Sequence, residues 1–313
     1  MTRGPAGVLN PTPTPPRKTR AAALSIASNT ILIVLKVVAG AITGSIAIIT
    51  EAIHSSIDLV ASVVAYFSVR KADEPPDESH PYGHEKVENV AAGIEGMLIL
   101  VGAGIIIYES VRRLIDHAGV EKLGIGIAVI GFSAVANAIV STYLYRQARL
   151  TDSPALAGDA AHLRTDAFTS AGVLVGLVLV EVTGMQELDA ITALVVAVAI
   201  VWAGVQILNR STRVLVDEAL PAHELAAVRG AIEEFGAAEV AGFHKLRARG
   251  AGSRRYVDLH VQFRHGTTLE RAHALAHELQ GAIRAQLRGA DVLIHLEPED
   301  RRERWRDDPP SAG

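Results

Sequence analysis

The 313-residue chain contains no cysteine, which removes disulfides, thiolate metal sites and thiol catalysis at one stroke. A metal ion held here has only histidine nitrogen and carboxylate oxygen as side-chain ligands. The compartment stays open, because a chain without thiols is compatible with all of them. A basic excess is also missing: 30 Lys and Arg stand against 34 Asp and Glu, a formal charge of -4, and composition makes no case for nucleic acid as a partner. No His-Glu-x-x-His pair and no serine elbow occurs, so neither a metalloprotease nor a serine hydrolase is indicated.

Apolar residues, in contrast, are plentiful. They form 49% of the sequence and raise the mean hydropathy to +0.27, while the charges gather in particular stretches. Residues 1–20, with five prolines ahead of Arg17, Lys18 and Arg20, read as a disordered basic tail. Six apolar segments follow, at about 21–42, 45–69, 87–114, 123–145, 154–182 and 188–208. Each is long enough as a helix to cross roughly 30 Å of hydrocarbon, and the first is too long for a signal-peptide core. The chain is thus expected to be an α-helical membrane protein with six transmembrane helices across residues 21–210 and both termini on one side. The short turns near Thr43–Ser45 and Thr183–Glu187 lack Lys and Arg, whereas Arg70, Lys71, Lys86, Arg146, Arg149, Arg210 and Arg213 fall on the opposite side with the basic tail. That side is expected to be cytoplasmic, against the vote of Arg112, Arg113 and Lys122.

Beyond Arg213 the pattern becomes that of a soluble domain, residues 211–300, holding seven of the 12 histidines. A helix is expected over 222–235 and a strand over 240–249. Residues 256–263 alternate Tyr256, Asp258, His260, Gln262 with Val257, Leu259, Val261, Phe263, a strand with one buried face. Thr267 and Glu270 suggest a capping box that opens a helix, and Val292, Ile294 and Leu296 a last strand. Helix, strand, strand, helix, strand points to an α+β sandwich of ferredoxin-like type. Residues 301–313 read as a disordered tail.

The chemistry sits inside the apolar segments. His54 and Asp58 lie in the second, His162 and Asp166 in the fifth. Spacing i, i+4 sets each pair on one helix face. Opposed, the two faces would supply two nitrogens and two oxygens, a set suited to tetrahedral Zn²⁺, and two carboxylates would cancel the charge of a dication in a medium where net charge is costly. An empty site would hold two carboxylates close together, a cost that protons relieve; metal and protons would then compete for the same atoms. The bland alternative is interhelical hydrogen bonding among scattered polar residues. Arg164 should face away from the pairs. Glu51, Glu95 and Asp159 read first as packing or helix-end groups, and second as lining of an ion pathway.

These residues carry a resemblance. The stretches Glu51-Ala-Ile-His-Ser-Ser-Ile-Asp58, Asp77-Glu-Ser-His-Pro-Tyr-Gly-His-Glu-Lys-Val-Glu88 and Asp159-Ala-Ala-His-Leu-Arg-Thr-Asp166, with His244, His260, His273, His295 and Glu297, are similar to the cation diffusion facilitator family of metal exporters. The resemblance implies a homodimer, a cytoplasmic ferredoxin-like domain and zinc–proton exchange by alternating access. It assigns the transport site to His54, Asp58, His162 and Asp166, a loop site to Asp77, His80 and His84, and a dimer-interface cluster to His244, His260, His273, His295 and Glu297. Without it, the loop trio also suits a solvated loop, and most of the carboxy-terminal histidines suit a surface. The expected function is a divalent metal exporter, a secondary transporter and not an enzyme. Zn²⁺ is both cargo and structural or regulatory ion, with Fe²⁺, Co²⁺ or Cd²⁺ as alternative cargo and no organic cofactor. A bacterial inner membrane is the expected location, and a metal-sensing scaffold without net transport is the rival reading from another class.

Overall fold

A chain buried in lipid must satisfy its backbone polar groups internally, which leaves the helix as the form open to long apolar runs such as these. The computed structural model describes residues 17–43, 46–116, 125–185 and 187–299. It divides into two units, Met1–Thr212 and Arg213–Gly313. The first is built from α1 (Arg17–Thr43), α2 (Ile46–Ala72), α3 (Lys86–Asp116), α4 (Ile125–Thr151), α5 (Pro154–Thr183) and α6 (Glu187–Leu215). Among the described residues, α1, α3, α4, α5 and α6 are long and apolar enough to cross a bilayer; α2 runs partly over residues whose side chains are not described.

This unit is the inverse of a water-soluble bundle. Ile139, Val195 and Trp202 point outward with 65%, 68% and 66% of their surface exposed, while Asp58, Glu88, Glu95, Asp159 and His162 are buried. Apolar side chains meet lipid without penalty, and the polar ones are withdrawn from it. Small residues let the helices approach: Ala21 and Ala22 of α1, Ala148 of α4, and Ala155 and Ala160 of α5 pack with Val69, Leu144, Leu156 and Leu163. On another side, Ile99 and Ala103 of α3 meet Ile200 of α6.

Helix starts correct the expected boundaries. Sequence pattern extends the basic tail to residue 20, yet α1 begins at Arg17 and Lys18 is buried. A tertiary partner explains this: Lys18 Nζ lies 3.0 Å from Glu88 Oε1 of α3 and 3.7 Å from Asp73 Oδ1. Ser153, which caps α5 by accepting from Leu156 N at 3.3 Å ahead of Pro154, also donates to Glu88 Oε2. One buried carboxylate thereby ties the first turns of α1, α3 and α5 together. Arg113, counted against the charge bias, pairs with Asp189 of α6 at 3.0 Å. Residues 1–16, 44–45, 117–124 with Lys122, 186 and 300–313 lie outside the described residues, as do the side chains of Glu51 and His54.

The second unit orders α7 (Ala222–Phe235), β1 (Val240–Ala251), β2 (Arg254–Phe263), α8 (Leu269–Gln286) and β3 (Ala290–Pro298). The sheet runs β1-β2-β3, with β1 and β2 antiparallel and β2 and β3 parallel; α8 makes the crossover that a parallel pair requires. Val257, Leu259 and Val261 of β2 and Val292 of β3 bury one face under Leu275, Leu279 and Ile283 of α8 and Val228 and Ile232 of α7. It is a three-stranded α+β sandwich; ahead of α7, Ala219 adds a single antiparallel bridge to Arg249. The expected cap at Thr267 is displaced by one residue: Thr268 is the N-cap, its hydroxyl accepting from Arg271 N at 3.3 Å.

Candidate metal centre

Inside the helical unit, α2 and α5 bring three ligand-type side chains together. His162 Nε2 is 3.0 Å from Asp58 Oδ1 and 3.9 Å from Asp166 Oδ2. One ligand atom from each of Asp58, His162 and Asp166 lies within 4.8 Å of the others. Tetrahedral ligands at about 2.0 Å from Zn²⁺ stand roughly 3.3 Å apart, and the two measured separations bracket that spacing. Asp58 and His162 are 6% and 7% exposed, so an ion here would be largely withdrawn from solvent. His54 sits on α2 one turn before Asp58, with its side chain outside the described residues. Arg164 is exposed and stacks over the Tyr145 ring at 5.1 Å, away from the ligand atoms as its helical position requires.

A polar seam adjoins this cluster. Ser62 of α2 donates to Asp159 Oδ1 at 3.0 Å and receives the Asn29 amide at 2.8 Å, with Ser25 at 3.0 Å. Lys36 Nζ donates to Ser55 Oγ at 2.7 Å. Glu95 of α3 is completely buried, its Oε2 3.6 Å from His162 Nδ1. Read from sequence first as packing and second as lining of an ion pathway, it stands against His162 of the cluster. The available signal was its position seven residues after Glu88, which puts two acids on one stripe of an apolar helix.

The loop between α2 and α3 gathers Asp77, His80 and His84. Asp77 Oδ1 accepts from the backbone N–H groups of Ser79 at 2.9 Å and His80 at 2.7 Å, a turn that fixes the carboxylate. Its two oxygens face His80 Nδ1 at 3.3 Å and His84 Nε2 at 3.2 Å. The His80 backbone bond first, with that of Ser79, the His80 side chain and the charge of His84, holds the Asp77 carboxyl below its ordinary value against the opposing effect of desolvation. Gly83 makes the loop's tight return with φ +94°, a backbone that side-chain-bearing residues avoid.

In the soluble unit the exposed sheet face carries His244, His260, His295 and Glu297. Register places His244 opposite His260 and His260 opposite His295. Glu297 is hydrogen-bonded to His260 Nδ1 at 2.6 Å, and has His244 Nε2 at 3.0 Å and His295 Nε2 at 3.6 Å within ion-pair distance. A one-residue bulge follows His244, with Lys245 at φ +50°; such bulges re-aim the neighbouring side chains. Partial burial would raise the Glu297 carboxyl, but the hydrogen bond and charge of His260, aided by His244 and His295, bring it below its ordinary value. His273, which the resemblance places in a dimer-interface cluster, is not brought to Glu297 within one copy. It lies on α8, which covers the other face of the sheet, and its Nε2 is 3.1 Å from His277 Nε2; among the described residues, no contact joins it to the Glu297 cluster.

Comparison with known proteins follows the same division. Residues 22–216 match the cation efflux transmembrane domain and residues 220–299 the cation efflux protein cytoplasmic domain. An uncharacterized transporter of Synechocystis sp. is 35% identical over 93% of this chain and 94% of its own length. The cation-efflux pump FieF of Serratia proteamaculans is 32% identical over 91% of this chain and 95% of its own. Among solved structures, the zinc form of a putative zinc transporter, CzrB, is 34% identical and covers 29% of this chain and 99% of that one, with a TM-score of 0.27.

Proposed function

The chain belongs to the cation efflux family, and on that premise we propose that it exports zinc in exchange for protons through the site formed by Asp58, His162, Asp166 and His54. As a family member it is a multi-pass membrane transporter with a cytoplasmic carboxy-terminal domain, and not an enzyme. The observation that carries the proposal is the meeting of two carboxylates and an imidazole from separate helices within 4.8 Å of one another. Imidazole favours Zn²⁺ over hard ions such as Mg²⁺; His54, one turn from Asp58, would add a second nitrogen. Two carboxylates neutralise a bound dication, and protons take the place of the ion when it leaves. Exchange follows from a single set of atoms serving both cargoes, with the site opening to one side of the membrane at a time.

The cytoplasmic domain supports a homodimer. His273 stands on the helical side of the sheet, so within one copy it is remote from the Glu297 cluster, and a second copy would have to supply it. Ions held at that cluster and at Asp77, His80 and His84 would stabilise one arrangement of the subunits, coupling cytoplasmic zinc to transport by linkage. The test is divalent-ion flux into proteoliposomes for the wild type, His54→Asp and the Asp58→Ala, Asp166→Ala double variant. Zinc flux that disappears in the double variant, and selectivity that broadens toward Fe²⁺, Co²⁺ or Cd²⁺ in His54→Asp, is the expected result. Normal uptake by the double variant refutes the site, and unchanged selectivity in His54→Asp refutes the reason for preferring zinc.

A further inference from the structure

We propose that Glu95 is a positioning residue of the transport site, its carboxylate holding the His162 imidazole so that Nε2 faces the ion; the inference rests on His162 being a ligand. The ring's two nitrogens look in opposite directions. Nε2 faces Asp58 at 3.0 Å and Asp166 at 3.9 Å, whereas Nδ1 faces Glu95 Oε2 at 3.6 Å. A neutral imidazole bears its hydrogen on one nitrogen, and a ligand nitrogen must be bare. With Nε2 turned to the cluster, the hydrogen belongs on Nδ1, and the group ahead of it is a carboxylate. Ligand histidines are held in this way by an acceptor behind the ring, and losing that acceptor costs about 10- to 100-fold in metal affinity.

Two further observations point the same way. Among the described residues, His162 Nδ1 and both Glu95 oxygens are buried without a hydrogen bond, and the two groups face each other across a gap about half an ångström longer than a hydrogen bond, which a small ring rotation closes. A purely packing role would be filled at far lower cost by an apolar side chain. The seat is also built for Glu95. On α5, Gly158 lies one turn before His162, and a Cβ there would come within 3.2 Å of Glu95 Cβ and Cγ; the missing side chain is what lets the Glu95 stem lie against α5 beside the ring.

The experiment measures initial zinc flux against zinc concentration for full-length Glu95→Leu and Glu95→Gln in proteoliposomes, with Asp58→Ala as a control and melting temperature recorded for each. Glu95→Leu should raise KM about 10- to 100-fold at wild-type melting temperature, and Glu95→Gln, whose amide oxygen still accepts from Nδ1, should stay within about threefold. If Glu95→Leu does not fold, Glu95→Asp replaces it: the charge is kept, the carboxylate withdraws by one methylene, and KM should rise. A wild-type KM in Leu or Asp overturns the proposal, as does a fall in melting temperature and maximal flux shared by Leu and Gln with KM unchanged. Asp58→Ala separates the two levels. If it still transports, the site itself is wrong; if it is inactive while Glu95→Leu keeps its KM, only the role of Glu95 falls.

Discussion

Replacing Lys18 by Met should destabilise the helical unit far more than a substitution near a chain end ordinarily does. The ammonium and the Glu88 carboxylate face each other at 3.0 Å with side chains 3% and 2% exposed, so Lys18→Met leaves Glu88 buried with Ser153 as its remaining neutral partner. Breaking a buried pair by removing one member costs about 3–5 kcal/mol, most of it the penalty of the charge left behind. Asp73, the second partner of Lys18 at 3.7 Å, is a quarter exposed and recovers hydration, which favours the lower figure, about 3 kcal/mol. For a unit of this length that corresponds to a fall in melting temperature of roughly 6–12 °C. The double variant Lys18→Met, Glu88→Gln removes both charges while leaving the introduced amide able to bond Ser153, and should recover all but about 1 kcal/mol. Melting of the detergent-purified protein, run as a double-mutant cycle, reads the coupling directly. A single variant that melts with the wild type, or a double variant as weak as the single, would refute the claim that this pair ties the helix starts together.

Other consequences can be checked independently. Thr268→Ala should cost about 1 kcal/mol, seen as roughly fivefold faster hydrogen exchange in the first turn of α8, and Thr267→Ala close to nothing, because Thr268 makes the cap. Gly83→Ala forces a side chain onto a left-handed backbone at a cost of about 1–2 kcal/mol, and should weaken zinc binding at the Asp77 loop by about tenfold in calorimetry. Asp77, whose carboxyl is held below its ordinary value, stabilises the loop wherever it is ionised in the unfolded chain too. That contribution is full above about pH 4 and is lost as pH falls through the lowered folded value. Limited proteolysis of the metal-free loop should therefore be flat from neutrality to about pH 4 and accelerate below it, and Asp77→Asn should remove the acid-dependent step.

Local pattern carried most of this architecture. Apolar length located the helices, period-two alternation located β2, and the two i, i+4 pairs pointed to α2 and α5, from which Asp58, His162 and Asp166 meet. At Lys18 and Glu95 a partner distant in the chain decides the outcome. Lys18 looks like tail because its charge and the prolines before it are local facts, whereas Glu88 lies 70 residues away. Glu95 looks like packing until α5 places His162 against it. Thr267 and Thr268 are both chemically competent caps, and the backbone bond from Thr267 N to Arg264 O at 3.1 Å holds Thr267 in the preceding turn. His273 has ligand chemistry, and the crossover helix carries it to the face of the sheet opposite Glu297, so that its place in the cluster rests on a second copy, which strand alternation within one chain does not reveal.

Simultaneous recording of zinc and proton movement in sealed proteoliposomes, with a zinc dye and a pH dye inside, tests the central claim most directly. The account predicts that zinc entry drives protons out, that the apparent KM for zinc falls as the loading side is made more alkaline, and that Asp58→Asn abolishes both fluxes together. Zinc entry without proton movement, or coupled fluxes that persist in Asp58→Asn, would contradict it.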